Sequence, residues 1–132
     1  MYTLGREYVP PGVLAGAMRY HGVAPIVSAL YREKHISAVA HGQIESYSAG
    51  LMFTRAEGIV LSPLAMYTVK EVIEQALRCK ETGSDDTILF TVTPAVSTDS
   101  TPYDSLLDGL LHDEKAEEAS LKKSLGRFIG RI

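Results

Sequence analysis

Apolar positions along this chain repeat at two different periods. Over residues 23–34, Val23, Val27, Leu30 and Tyr31 recur three or four apart, the spacing of one helical face, and Pro25 suits the first turn. Residues 43–56 repeat the pattern with Ala49, Met52, Phe53 and Ala56. Gly58 stands just past them, where a left-handed residue closes a helix. The longest face runs over 64–80, with Met66, Val69, Val72, Ile73, Ala76 and Leu77, after Ser62-Pro63 and before Gly83-Ser84-Asp85-Asp86. Between the helices lie short runs rich in β-branched residues at 36–40, 59–61 and 87–93, the last reading TILFTVT. Strands alternating with helices of this length predict βαβ units and right-handed crossovers. The expected fold is therefore α/β, a three-layer αβα arrangement with a small, mostly parallel sheet and a C-terminal helix.

The ends read differently. Residues 1–12 are expected to be extended, because Pro10-Pro11 excludes helix there. Residues 95–102 form a polar loop. The remainder, 103–132, is expected as a helical tail in two pieces. Tyr103, Leu106, Leu107, Leu110 and Leu111 make one apolar face. A charged break over 112–120 follows, and Leu121, Leu125, Phe128 and Ile129 resume a stripe beside Lys122, Lys123, Arg127 and Arg131. Residues 1–132 are expected to form a single domain.

Composition narrows the chemistry. At 132 residues and 45% hydrophobic content, the chain is long enough to bury a core. A formal net charge of -3 argues against a general nucleic-acid role, which needs clustered cations. Cys79 is the single cysteine, so no internal disulfide forms and a reducing, cytoplasmic setting is expected. No apolar run at the N-terminus has the length of a signal peptide or a membrane span. His21, His35, His41 and His112 lack metal-ligand spacing, so no metal site is expected. Ser28 and Ser62 lack the context of a nucleophile elbow.

Two motifs carry more. Residues 14–28 include Arg19-Tyr20-His21-Gly22 and then Ala24-Pro25, and Arg55, Glu57, Gly58 and Ile59 form a second signature. RYHG-x-AP-x-VS followed by R-x-EGI resembles the C-terminal part of the tryptophan synthase β-subunit, most closely its β-like second branch, over about residues 5–92. The resemblance implies an origin in the pyridoxal-phosphate (PLP) enzymes of fold type II. In that family the Schiff-base lysine and the phosphate loop come from sequence before the matched segment, and no Gly-rich loop replaces the latter here. Glu57 matches the glutamate that lies near the cofactor ring. Thr93 falls where a serine contacts the pyridine nitrogen. Departures accompany them. Pro94-Ala95-Val96 replaces the glycines after that serine, and Leu64, Ala65 and Tyr67 stand where the family has glutamate, serine and histidine.

Each candidate has a plainer alternative. Glu57 can pair with Arg55 or cap a loop, Thr93 can simply end a strand, and Arg19 and His21 can hold the turn by hydrogen bonds. Three readings follow. The preferred one is a stand-alone, non-catalytic relative of the β-subunit segment that acts through protein association, as a homodimer or with a protein partner. It has no catalytic residues, no cofactor of its own, no nucleic-acid partner and no membrane partner. A second is one half of a split PLP-dependent lyase, in which Glu57 and Thr93 meet PLP supplied with a partner chain. The third is a small-ligand module whose residual pocket, Arg19, His21 and Glu57, holds an amino acid-like molecule by both ends.

Overall fold

A computed structural model describes residues 1–14, 19–93 and 101–129, with the side chains of residues 101 and 127–129 left aside. The described part of the chain is helical. Its elements are α1 (Pro25–Arg32), α2 (Gln43–Glu57), α3 (Pro63–Thr82), α4 (Thr101–Leu107) and α5 (Glu118–Ile129). They fall into two compact units. The first contains residues 1–13, 17–39 and 114–132, and the second 14–16 and 40–113.

The second unit holds the main apolar core. Tyr47, Ala49, Leu61, Ala65, Met66 and Val69 are buried together, with Phe53, Ile73, Phe90, Val92, Tyr103 and Leu106 packed around them. Close approach of α2 to α3 depends on Gly50, where an added Cβ would lie 3.0 Å from Met66 Cβ. Ser62 caps α3 and Pro63 takes its first position. Gly58 and Gly83, at φ 71 and 69, end α2 and α3 as the sequence leads one to expect. The face that α2 buries differs from the expected stripe. Gln43, Ser46, Tyr47, Ala49 and Gly50 are buried, whereas Met52 and Ala56 are exposed. On α3 the first half is buried and the second projects: Met66 and Val69 are covered, Val72 and Ile73 are half-covered, and Ala76 and Leu77 are exposed.

The expected αβα sandwich is not formed, since the described residues contain no strand. Runs 36–40 and 87–93 are irregular, and in 59–61 Leu61 alone makes a bridge. A strand exists by pairing, and β-propensity measures fit to a pleated neighbour rather than a preference of the lone backbone. Here the pairing is fragmentary. The Ser62 N–H donates to Thr93 O at 2.9 Å. On the opposite side, the backbone of Leu61 is satisfied by a side chain. Tyr103 Oη donates to Leu61 O and accepts from Leu61 N–H, each at 2.9 Å. A tyrosine hydroxyl thus does for one residue what a neighbouring strand would do. The expected face of the tail is also cut short, because α4 stops at Leu107 and Gly109 turns the chain at φ 68, leaving Leu110 exposed.

In the first unit the N-terminal segment lies along the turn that precedes α1. Thr3 and Gly22 make an isolated antiparallel bridge, with Leu4 N–H donating to His21 O at 2.8 Å and Val23 N–H to Tyr2 O at 2.9 Å. Buried Ser28 anchors the segment by accepting from Tyr2 N–H at 2.9 Å. The apolar stripe expected on α1 is mostly open, with Val23, Val27, Leu30 and Tyr31 all exposed. In the tail, Leu121 is half-buried and Leu125 exposed; the side chains of Arg127, Phe128 and Ile129, residues 94–100 and Arg131 lie outside the described residues.

Candidate functional site

The residues singled out by the sequence fall in different units. Arg19 and His21 belong to the first, where both are exposed and both are used to hold backbone. Arg19 Nη2 donates to Pro10 O at 2.8 Å, and His21 Nδ1 lies 2.9 Å from Gly5 O. Thr3 Oγ1 adds a hydrogen bond to His21 O at 2.9 Å. Together these fasten residues 3–10 to the turn. Glu57 belongs to the second unit. It is the last residue of α2, exposed, and followed by left-handed Gly58. Thr93 is exposed as well, and its carbonyl takes the Ser62 N–H.

A polar cluster that sequence reading missed lies at the start of α2, against α3. His41 Nε2 is 2.7 Å from Glu71 Oε2, and its Nδ1 is 3.7 Å from Glu45 Oε1. Lys70 bridges Glu45 at 3.3 Å and Glu74 at 2.5 Å. The Gly42 N–H, hydrogen-bonded to Glu45 at 2.8 Å and joined by Lys70 and His41, holds the Glu45 carboxyl below its ordinary value. The Gln75 amide and then His41 do the same for Glu71. The Glu74 and Glu45 carboxylates hold the Lys70 ammonium above its ordinary value. Beside this cluster, Asp113 Oδ1 accepts from Gln43 N–H at 2.6 Å and Ile44 N–H at 3.2 Å, and so caps α2. The buried Gln43 side chain accepts from Leu14 N–H at 3.0 Å and donates to His112 O. The sequence signal was there: Glu71 and Gln75 lie four apart on α3, as do Lys70 and Glu74.

PLP chemistry needs a neutral amine to form an imine and open backbone amides to hold a phosphate. The described residues do not fit that group. Lys34, Lys80, Lys115, Lys122 and Lys123 are exposed, and Lys70, the half-buried lysine, is kept charged by its two carboxylates. The N-terminus of α2 is taken by Asp113 and Glu45. No group of three or more His, Cys, Asp or Glu is placed to hold a metal among the described residues. No helix among them is long and apolar enough to cross a membrane.

What the surface does offer is exposed apolar side chains. The three β-rich runs carry Ile36, Val39, Ile59, Val60 and Leu89 into solvent, Leu89 at 95% exposure. Over 87–93 exposure alternates strictly: Ile88, Phe90 and Val92 are half-buried, and Thr87, Leu89, Thr91 and Thr93 are exposed. That is the period of a strand with one face on a core. Phe90 meets Phe53 edge to face at 6.4 Å, which fixes the inner face.

No family model matches the chain. Individual proteins do. The chain is 45% identical over 113 residues to tryptophan synthase beta chain 2 of Aquifex aeolicus (strain VF5), an alignment covering 86% of this chain and 26% of that protein. To tryptophan synthase beta chain 2 of Methanosarcina acetivorans it is 41% identical over 111 residues, 84% of this chain and 25% of the relative. To the tryptophan synthase beta chain of Thermococcus onnurineus (strain NA1) it is 40% identical over 118 residues, 89% of this chain and 27% of the relative. The chain thus spans about a quarter of the length of these curated relatives. Over nearly all of its length, it resembles a C-terminal segment of tryptophan synthase beta chains.

Proposed function

We propose that this chain is a cytoplasmic protein that acts by associating with another polypeptide, first of all a second copy of itself, and that by itself it neither binds PLP nor catalyses a reaction. The observation that carries this reading is the set of exposed apolar side chains Ile36, Val39, Ile59, Val60 and Leu89 in the three β-rich runs. Apolar surface of this kind is covered in stable proteins, and an unpaired extended segment is a template for another chain. Burying each 100 Å² of it contributes about 2.5 kcal/mol, enough for a few side chains to decide association. The contacts of Arg19 Nη2 and His21 Nδ1 with backbone carbonyls and the paired state of Lys70 support the non-catalytic half. The single cysteine, Cys79, agrees with a reducing compartment. The test is to mix the purified chain with PLP, read the visible spectrum, reduce with borohydride and weigh the product. The reading predicts no aldimine band that survives gel filtration and only scattered, substoichiometric labelling of exposed lysines at equimolar PLP; one lysine labelled stoichiometrically, with a retained band, overturns it.

A second reading is favoured by the identity of 45% to a protein named tryptophan synthase beta chain 2. In it, the chain contributes Glu57 and Thr93 to a PLP-dependent β-replacement lyase whose cofactor lysine lies on a different polypeptide. Both side chains are exposed, as such a role requires. Co-expression with an N-terminal β-subunit segment separates the two readings. A yellow complex with lyase activity supports the second, and a colourless, inactive mixture supports the first.

A further inference from the structure

We propose that residues 87–93 form a self-complementary edge, and that two copies of this chain join by pairing it antiparallel about Phe90. This rests on the association proposed above and names its mode and partner. The sequence Thr87-Ile88-Leu89-Phe90-Thr91-Val92-Thr93 reads alike in kind from either end. A twofold axis at Phe90 sets Ile88 opposite Val92, Leu89 opposite Thr91, Thr87 opposite Thr93 and Phe90 opposite itself. These are the β-branched and aromatic cross-strand pairs that favour antiparallel ladders, and a twofold contact of one patch with itself closes as a dimer.

The structure presents the segment ready for this. Its side chains already alternate between covered and open, so the register of faces is set before a partner arrives. With the other described residues it makes one backbone hydrogen bond, Ser62 N–H to Thr93 O at its far end. Charge selects the orientation. No charged residue lies within 87–93, and Asp85 and Asp86 precede it. Antiparallel pairing sends the two acidic pairs to opposite ends, whereas parallel, in-register pairing stacks them. Edges are ordinarily guarded by Lys, Pro or a bulge, and 87–93 has neither Lys nor Pro.

The test uses the full chain in a Cys79→Ser background, with single cysteines at two exposed positions, Leu89→Cys and Thr91→Cys. In the proposed register Leu89 faces Thr91 of the other copy, while like positions are too far apart to bridge. Mild oxidation of the two variants mixed should give a disulfide-linked dimer in about tenfold excess over either alone. Leu89→Lys combined with Thr91→Lys, which sets like charges opposite one another at exposed positions in the proposed register, should abolish the dimer in light scattering with the helical spectrum kept. A dimer by light scattering whose cysteines link equally in mixed and single samples overturns this pairing and leaves association standing. A monomer by light scattering overturns both.

Discussion

At the scale of the residue, one hydroxyl decides what a short apolar run becomes. Leu61 is fully buried, and both of its backbone polar groups are taken by Tyr103 Oη. Tyr103→Phe leaves a buried N–H and a buried C=O without that partner, a loss of about 1–3 kcal/mol. Chemical denaturation should show that drop with the slope unchanged; parent-like stability contradicts the role given to Tyr103. The same contact shows why residues 59–61 were misread. Their composition is that of a strand, but Tyr103 lies 42 positions away from Leu61 and nothing local announces it. Arg19 and His21 were legible as special. Their use, holding the carbonyls of Pro10 and Gly5, was one of the alternatives the sequence left open.

At the scale of the element, helix ends were legible and buried faces were less so. Ser62-Pro63, Gly58 and Gly83 mark their ends through backbone geometry, which a few residues fix by themselves. The α2 face was misread because it buries Gln43, Ser46 and Gly50, whose contribution is hydrogen bonding and close approach rather than hydrophobicity. The clamp of α2 on α3 carries a pH signature. Glu45 and Glu71 have carboxyls held below the ordinary value of 4.5, so their contribution is complete above that value and is lost as pH falls through the lowered ones. Lys70 has the opposite sign. Its contribution is complete below 10.5 and is lost as pH rises through its raised value. Urea melts of the parent and Glu71→Gln should therefore differ at pH 7 and converge as pH is taken below 4.5. A difference that stays constant across that range contradicts the clamp.

At the scale of the whole molecule, the expected sheet fails for a reason of inventory. Three β-rich runs are present, and the described residues supply fragments of pairing to two of them and none to the third. A ladder needs a continuous neighbour for each run, and the described residues do not provide one. The apolar side chains left exposed in these runs are the basis of the account, and covering them is what the chain is proposed to do. The most direct measurement is molar mass by light scattering at tens of micromolar. The account predicts twice the chain mass of 14.4 kDa, falling toward the single-chain value on dilution. A mass of 14.4 kDa at every concentration up to that range contradicts it.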